Sequence, residues 1–307
     1  MAAECASRAP ARPCRARLVI PCLDAVAVLF ADAEFAMSGS LFSSEPMTMA
    51  AAFTANPHVP PPPLDVVPAS LWAPGRSDAW WWLYLPLVLF AGLLTISLAW
   101  PDSYRAYILP EGYGFLELGH FLIPFAAFVL SLRLLRLRVV REGWPLWAFI
   151  LIFGLGNFYI AGEEHSWGQH FFNWNTPAYW TDLNRQAETN LHNVSHWFNQ
   201  RPRLVLEIGI AIGGILVPLI QSRVGLFRQP LLALLTPPVQ LSVVAGVALV
   251  VKVINHLWKG DVVETELLIR PSEALETFIY LFLLYYVVVL GRRLGALDAV
   301  GVRKVPL

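Results

Sequence analysis

Six apolar runs dominate the chain, near Trp80–Trp100, Phe115–Leu135, Trp144–Ala161, Leu204–Ile220, Leu231–Val251 and Ala274–Leu290. Each has about the 17 to 25 residues a helix needs to cross a bilayer. They predict an all-α fold, a polytopic membrane bundle of about six transmembrane helices. Trp80, Trp81, Trp82, Trp100, Trp144 and Trp258 stand at the ends of the runs, where an interfacial aromatic belt is expected. Only 14% of residues are charged, against roughly a quarter in soluble domains. The formal net charge of zero gives nucleic acid no basis as a partner.

Residues 1–78 are rich in Ala and Pro, with a proline run at 60–63 and no sustained period. Such a segment buries too little apolar surface to offset chain entropy, and is read as a disordered tail. Arg8–Arg17 followed by Leu18–Ala31 imitates a signal peptide, but Pro21 and Asp24 interrupt the apolar part. Met37, Met47 and Met49 are alternative starts. Cys5, Cys14 and Cys22 all lie in this tail. A thiolate nucleophile or a Cys-ligated metal in the apolar body is thereby excluded, and a metal there would need His, carboxylate or amide ligands.

Lys and Arg set the orientation. Arg133, Arg136, Arg138 and Arg141 fill the second connection, Arg223 and Arg228 the fourth, and Arg292, Arg293, Arg303 and Lys304 the region after the sixth run. Both termini are therefore expected in the cytoplasm, with the connections at 101–114, 162–203 and 252–273 outside a plasma (inner) membrane. The six-span domain covers 79–295, the 162–203 cap segment lies within it, and 296–307 forms a cytoplasmic tail. After the first run nearly all acids fall on the outer side, and so do all histidines except His58 in the tail. Acids do not determine topology, so this asymmetry points to function rather than insertion.

The cap segment, GEEHSWGQHFFNWNTPAYWTDLNRQAETNLHNVSHWFNQRPR, is too long for a simple connection. Pro177 and Pro202 bracket a helical pattern, with Thr181 or Asp182 as N-cap. Leu183, Ala187, Leu191, Val194 and Phe198 form an apolar stripe, which predicts an amphipathic helix at the outer interface. Its polar face would carry Glu188, His192 and His196 one turn apart, with Asn184 at the edge and Asn193 nearby. Two histidines at i and i+4 can face one divalent ion (zinc, manganese or iron), with Glu188 as third ligand or as base. Ordinary solvation of a polar face is the simpler alternative.

Glu163 and Glu164 follow directly from the third run, ahead of Ser166, Gln169 and His170. Adjacent carboxylates in a partly apolar setting repel, which suits one of them to proton transfer. Continuing the third helix would place Glu163, Trp167 and His170 on one side. Further ionisable groups sit at similar depth: Glu117 with His120 in the second run, Glu207 in the fourth, His256 ending the fifth, and Glu273 and Glu276 opening the sixth. Charged groups at membrane depth are costly and mark a cavity or pathway. The expected catalytic residues are Glu163, Glu164 and Glu117.

The pattern E-E-x-S-W-G-Q at 163–169, with N-x-Q-x-E-x-N-L-H-N at 184–193, resembles one found in uncharacterised bacterial multi-pass membrane proteins. No activity follows from that likeness. A weaker similarity links the chain to the seven-span hydrolases of the alkaline ceramidase type, which use Ser, Asp and three His around zinc at one membrane face. This chain departs from them in having six runs, and in placing HxxxH between the third and fourth.

Three functions compete. The first is a metal-dependent hydrolase or transferase acting on a lipid or lipid-linked substrate at the outer face. The second is a transporter or ligand-binding protein with carboxylate proton or cation sites, helped by Pro237–Pro238 in the fifth run. The third is an assembly subunit docking a periplasmic partner.

Overall fold

The computed structural model describes residues 78–184, 186–191, 193–260 and 266–305. Apart from Asp78, the expected tail lies outside the described residues. Every regular element among the described residues is a helix. Six are long and apolar enough to cross a membrane: Trp80–Ala99, Phe115–Leu134, Trp144–Glu164, Gln200–Ile220, Pro230–Lys259 and Pro271–Ala299. They are called the first to sixth spans. The end of the bundle carrying residues 162–203 is the cap end.

The sixth span is the axis of the bundle. In its most apolar stretch 72% of residues are buried, against 17% in the first and fourth spans, which therefore offer most of their surface to lipid. The sixth packs along the second and fifth, and the second along the third. Lipid chains are as apolar as leucine, so helices in a membrane associate through close packing rather than hydrophobic exclusion. Two glycines make that packing tight. A Cβ on Gly154 would lie 2.9 Å from the Ser131 Cβ across the second and third spans. One on Gly214 would lie 2.7 Å from Ala245 Cβ and 2.8 Å from Phe282 Cε2. Trp80, Trp100 and Trp144 are exposed at span ends, as an aromatic belt requires, whereas Trp81 is buried edge-on against Tyr285.

The fifth span is broken. Its helix runs over Pro230–Leu235, extends at Thr236 and Pro238, and resumes as Ser242–Lys259. Pro237 and Pro238 bring no N–H, so the carbonyls of the preceding turn lose their helical donors. In lipid each such group must find another partner. The sixth span supplies them. The buried Arg293 donates from Nη1 to Leu234 O at 2.7 Å and Thr236 O at 2.6 Å, and Tyr286 donates to Leu235 O at 2.8 Å. Counted in the sequence as a topogenic charge, Arg293 is a structural donor inside the protein.

Span boundaries shift in several places: the fourth begins at Gln200 and the fifth runs on to Lys259. The third span continues to Glu164, and the sixth begins at Pro271 and ends at Ala299, so the tail expected from 296 starts within a helix. The cap segment also corrects the sequence reading. No single helix covers 183–198: one short helix spans Ala178–Leu183, and the next opens at His196. Thr181 and Asp182 lie inside the short helix rather than capping it, and Pro202 lies inside the following one. The cause is local side-chain competition for backbone partners. Asn184 accepts from Gln186 N at 2.9 Å and donates to Asn190 O at 2.8 Å and Asn190 Oδ1 at 2.7 Å. Ala187 then takes a positive φ of 54°, which no helix tolerates.

Candidate metal centre at the cap end

His120, on the second span, is fully buried. Its Nε2 lies 2.8 Å from Thr277 Oγ1 and 3.0 Å from the Glu273 carbonyl, both on the sixth span. Thr277 Oγ1 itself donates to that carbonyl. The carbonyl can only accept, so Nε2 carries a hydrogen, and Nδ1 is the nitrogen turned towards the carboxylates. Nδ1 has no hydrogen-bond partner among the described residues, and it points at carboxylates: 3.5 Å to Glu164 Oε2 and 3.9 Å to Glu273 Oε2. A backbone-held imidazole with its other nitrogen open is the usual second-shell arrangement behind a metal ligand.

Carboxylates gather around it from three spans. Glu117 lies one turn before His120, Glu164 ends the third span, and Glu273 and Glu276 open the sixth. Two triads, Glu117–His120–Glu273 and His120–Glu164–Glu276, each hold their ligand atoms within 4.8 Å of one another and can hold a metal ion. Three neighbours orient the acids. Tyr280 donates to Glu164 at 2.7 Å, Arg203 reaches Glu276 at 3.0 Å, and Arg270 reaches Glu273 at 2.9 Å. Arg203 also meets Glu207, which Lys252 holds at 2.9 Å. Four carboxylates thus face His120 against two guanidinium groups, an excess of negative charge suited to a divalent cation. A cavity of about 360 Å³, lined by Glu117, Glu164, Glu276 and Tyr280 among others, opens over this cluster.

Beside the cluster the cap residues bind one another. The third helix stops at Glu164, and Ser166 and Trp167 adopt positive φ. Trp167 therefore folds back to donate to Glu163 Oε1 at 2.8 Å, while Glu163 Oε2 accepts from Leu191 N at 2.7 Å. The pair expected on one face of a continued helix meets through a turn instead. Buried Ser166 donates to Glu188 at 2.8 Å and accepts from Asn190 at 2.9 Å. Gln169 accepts from Thr189 N at 2.8 Å. The two halves of the E-E-x-S-W-G-Q and N-x-Q-x-E-x-N-L pattern are thus the two sides of one hydrogen-bonded knot.

Glu188 belongs to that knot, paired with His170 at 3.3 Å. His192 lies outside the described residues, as does the side chain of His196. Asn184 and Asn193 serve the loop, Asn193 reaching Glu188 at 3.4 Å, and His256 is exposed and outside the cavity lining. Thr277, which fixes the His120 ring, was not singled out in the sequence; its i+4 offset from Glu273 was the available signal.

Three cap groups titrate abnormally. The hydrogen bond from Glu188 raises His170 above its ordinary value, against the opposing effect of burial. Burial pushes Glu188 upward, but hydrogen bonds from His170 and Ser166 outweigh it and leave it lowered. Burial, helped by His170, pushes His165 down to about 4. Glu188 stabilises the cap above its ordinary 4.5, and neutral His165 does so above 6.5. His170 works in the opposite sense: its contribution is complete below 6.5 and is lost as pH rises through its elevated value. Above 6.5, then, only His170 changes among the three, facing Glu188, Ser166, His165, Glu111 and Glu117. Limited proteolysis of the cap should speed up roughly two- to fivefold between pH about 6.5 and 8.5, the effect of one partly exposed ion pair. His170→Phe should flatten the profile; an equally steep profile in that variant would remove His170 as its source.

The fold and site define a polytopic helical membrane protein with a buried carboxylate–histidine cluster able to hold a metal. No family model, no curated protein and no solved structure matches the chain.

Proposed function

We propose that the protein is a metal-dependent hydrolase or transferase acting on a lipid or lipid-linked substrate at the outer face of the plasma membrane, with both termini cytoplasmic. The observation that carries this reading is the open Nδ1 of buried His120, fixed from behind by Thr277 and the Glu273 carbonyl and aimed at Glu164 and Glu273 beneath a cavity. His120 and Glu164 would hold one divalent ion, with Glu276, Glu273 or Glu117 available to complete an oxygen-rich shell. One imidazole among carboxylates suits manganese, iron or zinc. Such an ion, when bound, would supply Lewis-acid chemistry suited to ester or phosphoester cleavage. A carboxylate not engaged by the ion would be placed to take the proton of the attacking water or alcohol, and Tyr280 holds Glu164 in place. The Lys and Arg asymmetry supports the orientation. A transport path would need an open broken helix near the midplane, whereas the fifth-span break is tied off by Arg293 and Tyr286.

The test is elemental analysis of detergent-purified protein. Wild type should carry about one manganese, iron or zinc per chain, and His120→Ala should lose at least nine-tenths of it, since outer partners alone change affinity 10–100-fold. A His192→Ala/His196→Ala variant should keep the metal. Metal-free wild type after supplementation, or metal lost only from the second variant, would overturn the assignment.

A further inference from the structure

The site cavity does not end at the metal ligands. It adjoins a second recess of about 350 Å³ through shared walls at Arg203, Lys259 and Ser272. Among the described residues that recess is basic, with Arg201, Arg203, Lys252 and Lys259 against the carboxylate Glu207. Below it a third recess of about 200 Å³ shares Leu204, Glu207 and Lys252 with the second and Ile279 with the site cavity. Otherwise the third recess is apolar: Ile208 and Ala211 on the fourth span face Ala248 and Leu249 on the fifth, over Leu275 of the sixth. Leu204, Ile208 and Leu249 are exposed, so this groove opens sideways between the fourth and fifth spans at membrane depth.

From these observations we infer that the groove between the fourth span and the fifth and sixth spans admits an anionic glycerophospholipid from the surrounding leaflet, one acyl chain in the apolar recess and the phosphate against Arg201, Lys252 and Lys259. Charge order selects this occupant. The basic recess borders both the apolar groove, at Leu204 and Lys252, and the acidic site cavity, at Arg203 and Lys259, so a lipid with its tail in the groove can set its phosphate among cations and its headgroup towards the carboxylates. Glu207, the carboxylate lining both recesses, is held by Arg203 and Lys252, and each basic residue near the surface adds attraction for an anionic lipid. A soluble anion would have no use for the sideways apolar opening. The inference deepens the proposed function, naming the substrate class of the same site, but binding does not require the metal.

The test is lipid retention by full-length protein exchanged from mixed vesicles of equal phosphatidylglycerol and phosphatidylcholine, read by native mass spectrometry. Wild type should retain phosphatidylglycerol about tenfold over phosphatidylcholine. Arg201→Gln/Lys259→Gln changes two exposed side chains and should abolish the preference while leaving some lipid bound. Ala211→Phe, which fills the groove, should lose both lipids, with an unchanged unfolding midpoint showing that it is folded. His120→Ala should retain phosphatidylglycerol as wild type does, so a failed metal assignment and a failed lipid assignment give different results. Equal retention of the two lipids by wild type, or undiminished retention by Ala211→Phe, would overturn the inference.

Discussion

Arg293→Met is expected to cost about 2–5 kcal/mol of stability, since each buried acceptor left without a donor costs about 1–3 kcal/mol. Arg293 closes two such acceptors, Leu234 O and Thr236 O, at the proline break in the fifth span. Methionine fills much of the volume but donates nothing. Buried charges replaced by apolar groups are sometimes neutral, but that requires both partners to become apolar, and here the carbonyls remain. Tyr286→Phe should cost less, about 1 kcal/mol, through Leu235 O alone. The two sites are neighbours, so the double variant should depart from additivity. Denaturant or thermal unfolding of detergent-purified protein reads all three, and an Arg293→Met variant within about 0.5 kcal/mol of wild type would refute the role given to the arginine.

Removing the metal should be the second large effect. A ligand that binds only the folded state stabilises it by about 2.7 kcal/mol at a hundredfold excess over Kd. Stripped of its ion, the cluster leaves Glu117, Glu164, Glu273 and Glu276 close to one another, with Arg203 and Arg270 paired to two of them. A chelator should therefore lower the unfolding midpoint of wild type, and added manganese, iron or zinc should restore it in proportion to the logarithm of its concentration. His120→Phe keeps an aromatic ring in the buried position but offers no nitrogen, and should respond to neither. Equal chelator shifts in wild type and variant would place any bound ion elsewhere.

Much of the architecture was legible because a bilayer imposes length and apolarity on whatever crosses it. The starts of the spans could be marked to within four residues, although the fifth and sixth run eight and nine residues past their expected ends, and the gathering of Glu117, His120, Glu273 and Glu276 at one end followed from their depth along those spans. What the sequence hid was pairing across spans. Nothing local says that Glu164 turns to Tyr280 and His120 while its neighbour Glu163 turns to Trp167 and Leu191. The cap misled for a different reason. Its apolar residues recur at helical spacing, yet Asn184 and Asn190 satisfy local backbone and side-chain groups and stop the helix. Asn and Asp at such positions signal turns, and that signal outweighed the period. Arg293 was concealed by its company, one of several basic residues after the sixth run; the clue lay in Pro237 and Pro238, which demand donors from elsewhere.

The sixth span also has a consequence for biogenesis. It is the last of the six to be synthesised, and it is the one that brings Glu273, Glu276, Thr277, Tyr280 and Arg293 to their partners. Until it inserts, His120 has no Thr277 behind it, Glu164 no phenol to hold it, and the broken fifth span no donors for its carbonyls. Membrane quality control that recognises unsatisfied polar groups in lipid would thus retain every intermediate up to that step. Completion of the carboxylate–histidine cluster and release from such surveillance would then be one event, timed by the arrival of a single helix.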